Sequence, residues 1–149
     1  IDKHVKVCCF STEALDITMW SHYASSHSGF CIEFDTKLDE DVFWGCKINY
    51  LKSNKIEKEH PIQDKFGLLK MLTTKSDEWS YEKEVRVFRN PESNFVQIKP
   101  KSIKRVILGC KCSKSNEDEM RNLVEREEIE LWKVKKSLSE VNLEIEQIN

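Results

Sequence analysis

Glu82, Glu84 and Arg86 lie two residues apart in Trp79-Ser80-Tyr81-Glu82-Lys83-Glu84-Val85-Arg86, a stretch that also carries two aromatic rings. On a strand, alternation puts both carboxylates and the guanidinium on one face; on a helix they would scatter around the axis. In a cleft such a face could grip a substrate and stabilise positive charge. In water it is a solvated strand face on which Arg86 offsets one glutamate, worth under about 1 kcal/mol. The two carboxylates repel each other, and Trp79 and Tyr81 point to partial burial, which would raise one carboxyl's pKa. Trp79 is expected to be a buried anchor. The second chemistry-bearing stretch is Met19-Trp20-Ser21-His22-Tyr23-Ala24-Ser25-Ser26-His27-Ser28-Gly29. There His22, Tyr23 and His27 could form an acid/base or substrate-gripping cluster at a helix end. The alternative is that Trp20 and Tyr23 pack the helix on a sheet while charged histidines favour the helix dipole.

The candidate catalytic residues are therefore Glu84, Glu82 and His22. The candidate substrate-binding residues are Tyr23, Trp20, His27, Arg86, Trp79 and Ser11. For one shared site, His22 or Tyr23 must approach the Glu82–Glu84–Arg86 face, with Glu84 more buried than Glu82 and Arg86 bracing a carboxylate. No metal site is expected: His22 and His27 are five residues apart and share no helix face, and the cysteines lack paired C-x₂-C spacing. Ser11 reads as a helix N-cap, since no Gly-x-Ser-x-Gly elbow surrounds it.

The elements that must position these groups follow from periodicity. Val5 to Ser11 reads as a strand, followed by a helix near Glu13–Ser25 whose cap is Ser11 or Thr12. Gly29 to Asp35 and Phe43 to Leu51 read as strands on either side of a polar connection, Asp39-Glu40-Asp41. Lys52 to His60 reads as a solvated loop, and Pro61 opens a helix to Thr74. Glu82 to Arg89 reads as a strand that turns at Asn90–Asn94 and pairs with Phe95–Lys99 as a hairpin. Ile103 to Gly109 is the most apolar strand and the candidate central one. Ser115 caps a helix over Asn116–Glu127, and Leu131–Lys135 and Val141–Ile148 close the chain as strands. Strands and helices interleave without a βαβ rhythm. The expected fold is α+β, a mixed, mainly antiparallel sheet flanked by about three helices.

With 149 residues, 34% of them charged, and a net charge of −2, the chain fits one domain over 1–149 and suggests no broad nucleic-acid-binding surface. No apolar run is long enough for a membrane span, and no N-terminal signal pattern is present. The six cysteines, mostly in apolar runs, read as reduced small hydrophobes, so the expected location is cytoplasmic. Because the chain begins at Ile1 and runs at once into a strand, it reads as the C-terminal part of a longer polypeptide.

Cys9-Phe10-Ser11, Met19-Trp20-Ser21-His22-Tyr23-Ala24 with His27 and Gly29, Cys31 to Asp35, Trp79-x-x-Glu82-x-Glu84-x-Arg86 and Ile107-Leu108-Gly109 occur in an order that resembles the bacterial domain-of-unknown-function family 2971. The likeness runs from about Val5 to Gly109. Members of that family usually begin with a further N-terminal segment, which supports the reading of a partial chain. A weaker likeness concerns the ADP-ribosyltransferase fold, in which a Ser-containing strand end precedes a helix and a later strand carries Glu-x-Glu, here Ser11 and Glu82-Lys83-Glu84. That likeness implies NAD as substrate: a carboxylate holding the nicotinamide-side ribose and stabilising an oxocarbenium-like transition state, with aromatics around the nicotinamide. The further His or Arg of that class would lie in the missing segment. The resemblances together imply either an effector of a phage-defence or toxin system or a non-catalytic nucleotide- or protein-binding sensor. A hydrolase using Glu84 or His22 as general base is a third reading, without a nucleophile or metal to accompany it.

Overall fold

Alternation of Val85 and Val87 with Glu84 and Arg86 makes a strand with one apolar and one charged face, and this strand organises the first of two units in a computed structural model of the chain. The structure describes residues 6–52, 65–89, 95–137 and 142–149. The two units are Ile1–Glu13 with Phe43–Val96, and Ala14–Val42 with Gln97–Asn149. Val5, the 53–60 part of the expected loop, the Pro61 helix start, the 90–94 turn and Val141 lie outside the described residues.

In the first unit β1 (Lys6–Ser11) pairs antiparallel with β6 (Glu84–Arg89), which pairs on its other side with β3 (Gly45–Lys47). The register sets Ser11 opposite Glu84, and Cys9 and Cys46 on either side of Arg86. A Cβ at Gly45 would come within 2.6 Å of the Arg86 carbonyl oxygen, so glycine is what lets β3 approach β6. A parallel pair, β4 (Asn49–Leu51) with β5 (Thr74–Ser76), stands beside this sheet, and the helix α3 (Lys65–Leu72) leads into β5.

The second unit holds a sheet in the order β2 (Phe30–Phe34), β7 (Ile103–Leu108), β8 (Glu130–Lys136), β9 (Leu143–Gln147). Its β7–β8 pair is parallel and is bridged by the helix α4 (Lys114–Arg126); its other pairs are antiparallel. As expected, β7 is central. Its Ile107 joins Trp20, Ala24, Val134 and Leu143 on one face, and Val106 and Leu108 join Val124 and Leu131 on the other. Each buried Val, Leu or Ile among them contributes about 1.5–3 kcal/mol by leaving water. The helix α1 (Ile17–Tyr23) supplies Trp20 to the first of these clusters.

The fold is α+β with mainly antiparallel strands, as the pattern of elements predicts, but among the described residues the strands form three sheets rather than one. Several boundaries differ for identifiable reasons. The cap of α1 is Asp16, which accepts from the Met19 N–H at 2.9 Å, because Ser11 is taken up elsewhere. Phe43 ends a short helix, α2 (Glu40–Phe43), and the expected Phe43–Leu51 strand divides at Ile48, whose buried position and N–H bond to the Glu84 carbonyl (3.0 Å) hold the chain where it passes between sheets. Residues 95–99 form no strand; β6 already has a partner on each side, so no edge is left for a hairpin return. Within the polar connection Asp39-Glu40-Asp41, Asp39 is buried, accepting from Ser102 Oγ at 2.7 Å and from the Lys99 N–H at 2.6 Å. The cap of α4 is Ser113, not Ser115.

Candidate functional site

The charged face of β6 is where the first unit concentrates its ionisable groups. Glu84 and Arg86, two apart on the strand, form a double contact: Arg86 Nε donates to Glu84 Oε1 at 2.7 Å and Nη2 to Oε2 at 3.2 Å. Arg86 also donates to the Leu72 carbonyl at the end of α3. From β5, Lys75 donates to Glu84 Oε2 at 3.3 Å and pairs with Glu82. The ammonium of Lys75 stands 5.0 Å from the centre of the Trp79 ring. The Glu84 N–H donates to the Tyr50 hydroxyl at 2.8 Å, and the Ser11 hydroxyl donates to the Glu82 carbonyl at 2.7 Å.

Glu82 is not on the strand. Asp77–Glu82 forms a 3₁₀ turn, and Lys83, with φ of 42°, carries the chain from that turn into β6. Glu82 and Glu84 nevertheless meet, because both reach Lys75. Glu82 is 3% exposed and Glu84 6%, so Glu84 is not the more buried of the two. The expected rise of a carboxyl pKa is reversed at Glu84. Burial acts to raise it, but hydrogen bonds from Arg86 and Cys9 and the charges of Arg86 and Lys75 outweigh that and hold it at about 2. The same contacts act on the partners. Burial would lower Lys75, yet its bonds to the two glutamates raise it, and the bond to Glu84 raises Arg86. Cys9 is exposed as a residue, but desolvation of its sulfur by its neighbours, and then the adjacent Glu84, push its thiol up. A carboxylate this acidic is a weak base, so the general-base role suggested for Glu84 does not fit its surroundings. Its ionised state suits electrostatic stabilisation instead.

Trp79 is 38% exposed, not a buried anchor, and stacks tilted on Tyr81 with ring centres 6.1 Å apart. The Trp20–His27 stretch lies in the second unit. Trp20 is 3% exposed with its indole N–H donated to the Ala14 carbonyl at 2.8 Å, which makes it core. Tyr23 is 62% exposed and does not pack the helix to the sheet; His22 lies against it edge to face at 6.2 Å. Ser25, Ser26 and His27 take positive φ in succession (48°, 53° and 72°). The His27 Nδ1 is buried without a hydrogen-bond partner among the described residues. Burial, and then Lys111 and Lys136, push His27 below its ordinary pKa, so it is neutral at pH 7 and is no charged helix cap.

The two quoted stretches both fall within the part of the chain that matches a known family. Residues 19–87 match the model of the family described as protein of unknown function (DUF2971). The resemblance read from the motifs is borne out over that span, whereas the Cys9-Phe10-Ser11 and Ile107-Leu108-Gly109 motifs lie outside it. No curated protein and no solved structure matches the chain. Within the DUF2971 region, Lys75 and Tyr50 belong to the charged cluster although neither stood out in the sequence. Among the described residues no group of three or more His, Cys, Asp or Glu could hold a metal ion, and no helix is long and apolar enough to cross a membrane. The cysteines are free thiols; Cys8 and Cys9 are exposed on β1, unlike the apolar setting expected of them.

Proposed function

We propose that the DUF2971 region binds the nucleoside part of a nucleotide at the Trp79–Lys75 edge of this cluster, with NAD as the ligand. The observation that carries this reading is the pairing of a partly exposed indole with a buried, charge-balanced carboxylate pair. Trp79 keeps 38% of its surface exposed beside Lys75 and Tyr81, which leaves indole surface for a base or nicotinamide, and Glu82 and Glu84 pair with the Lys75 ammonium that stands 5.0 Å from that ring. Lys75, Arg86, Glu82 and Glu84 sum to no net charge, which suits a flat ring and ribose hydroxyls better than a phosphate needing surplus cations.

A second reading, ADP-ribosyl transfer, is favoured by the placement of Ser11 opposite Glu84 and by the ionised state of Glu84. In that reaction the bond between nicotinamide and ribose C1′ breaks with its electron pair leaving on nicotinamide. The acceptor then bonds to C1′ and gives its proton to solvent, while Glu84 offsets the positive charge on the ribose. The effector role in a phage-defence or toxin system belongs to this reading; the sensor role belongs to the first.

Titrating NAD into the protein while following tryptophan fluorescence tests the binding. Trp79→Ala should weaken it about tenfold or more through lost stacking. Binding that is unchanged in Trp79→Ala, or no binding, refutes the site. Nicotinamide release in the same mixture, lost in a Glu84→Gln protein shown by circular dichroism to be folded, would establish transfer. Binding without release would leave the module a binder.

A further inference from the structure

The strand β3 ends at Lys47, so the ladder on that side of β6 stops just short of Glu84. The Ile48 N–H still reaches the Glu84 carbonyl at 3.0 Å, but the Glu84 N–H is answered by a side chain, the Tyr50 hydroxyl, at 2.8 Å. Glu84 is buried, and a main-chain N–H shut away from water without an acceptor is costly, so this bond fixes where the phenol oxygen stands. Tyr50 comes from β4, and its register partner on β5 is Lys75. Paired residues share a face of the two-stranded ribbon, so the phenol and the ammonium enter the cluster side by side. The Asp77–Glu82 turn, which carries Trp79, packs against both strands.

Accepting from Glu84 leaves the Tyr50 hydroxyl with a proton to give. Among the described residues nothing takes that proton, because the bond from Glu84 is the hydroxyl's own only one. Lys75, with its ammonium 5.0 Å from the centre of the Trp79 ring, carries three N–H groups and pairs with two carboxylates. The groups beside the indole therefore offer donors, while both Glu84 oxygens already receive Arg86 or Lys75. A ring stacked on Trp79 is then recognised at its edge through an acceptor. Of the two rings of NAD, nicotinamide carries a carboxamide oxygen. Adenine flanks its N1 and N7 acceptors with an exocyclic amine, a donor that would meet the donors of Tyr50 and Lys75. We propose that Tyr50 is the specificity-determining residue of this site: its hydroxyl donates to the carboxamide oxygen and seats the nicotinamide half of NAD, rather than the adenosine half, on Trp79. The inference rests on the nucleoside reading above and names which nucleoside is bound.

Calorimetric titration of the whole chain with nicotinamide mononucleotide, with the pyridinium mononucleotide that lacks the carboxamide, and with adenosine monophosphate tests it. Nicotinamide mononucleotide should bind at least about fivefold more tightly than either of the others. Tyr50→Phe should weaken it by about the same factor and leave the pyridinium analogue unchanged, since only a ligand bearing the acceptor feels the loss of the donor. Phenylalanine also leaves the Glu84 N–H without its acceptor, so circular dichroism checks the fold; a merely structural role for Tyr50 would weaken both ligands alike. The ranking of the three ligands on the unaltered protein needs no variant, and it decides the question even where Tyr50→Phe does not fold. With binding still dependent on Trp79, three results overturn this inference alone: equal affinity for nicotinamide mononucleotide and its analogue, adenosine monophosphate bound as tightly, or equal weakening of both pyridinium ligands in Tyr50→Phe. No binding, or binding indifferent to Trp79→Ala, overturns it together with the nucleoside reading.

Discussion

Replacing Glu84 by glutamine should destabilise the protein at neutral pH, and the loss should disappear in acid. An unperturbed glutamate carboxyl titrates at 4.5, and Glu84 is held at about 2 by Arg86, Cys9 and Lys75 despite its burial. Preferential stabilisation of the ionised form by that amount corresponds to roughly 3 kcal/mol. Because the folded-state pKa lies below the unfolded one, this contribution is complete above pH 4.5 and is lost as the pH falls toward about 2. Glutamine keeps the shape but cannot supply the charge, so Lys75 and Arg86 would share Glu82 alone. Urea unfolding at pH 7 should therefore show a loss of roughly 3 kcal/mol at unchanged m-value. The gap between the two proteins should close as the pH falls through the same window. Equal stability at pH 7, or a gap that does not narrow with acid, would refute the view that Glu84 is held ionised by its neighbours.

Lys75→Met should cost about 1–2 kcal/mol at pH 7, a buried-pair loss discounted for the partial exposure of Lys75, and adding Glu82→Gln should recover part of it in a double-mutant cycle. Gly109→Ala should lower the melting temperature by several degrees, on the order of 2 kcal/mol, because the new Cβ would fall within 2.0 Å of the His27 carbonyl oxygen. The two tryptophans should part company in chemical denaturation: Trp20→Ala is expected to cost about 3–5 kcal/mol for a buried ring, and the more exposed Trp79→Ala under about 1 kcal/mol.

What was legible in the sequence is what local pattern alone determines. The unbroken apolar run Val106–Leu108 of β7 packs the core on both faces and the stripe of α4 meets it on one, so the positions of both elements follow from residue type and spacing. The boundaries that moved depend on partners distant in the chain. Ser11 has the chemistry of a cap, but the Glu82 carbonyl claims its hydroxyl, and Asp16 takes the helix. Asp39 looks like a turn residue until Ser102 and Lys99 reach it from some 60 positions away. Phe95 to Lys99 has strand composition, yet β1 and β3 have already taken both edges of β6.

Electroneutrality requires a second cation, and Lys75 supplies it. If Glu82 and Glu84 share a shielded face, one guanidinium can neutralise only one of them, and the other must be protonated or find a second cation. The first course would raise a carboxyl pKa. The structure takes the second, and the cation comes from the three-residue strand β5, too short to announce itself by periodicity. The charge balance points to the lysines flanking Trp79. Among those, Lys75 is the one that reaches both carboxylates, whereas Lys83 pairs with Glu13. The consequence for chemistry is direct: a carboxylate neutralised by two cations is an acceptor and a charge stabiliser, and the reaction class to test at Glu84 is one that develops positive charge, not one that removes a proton.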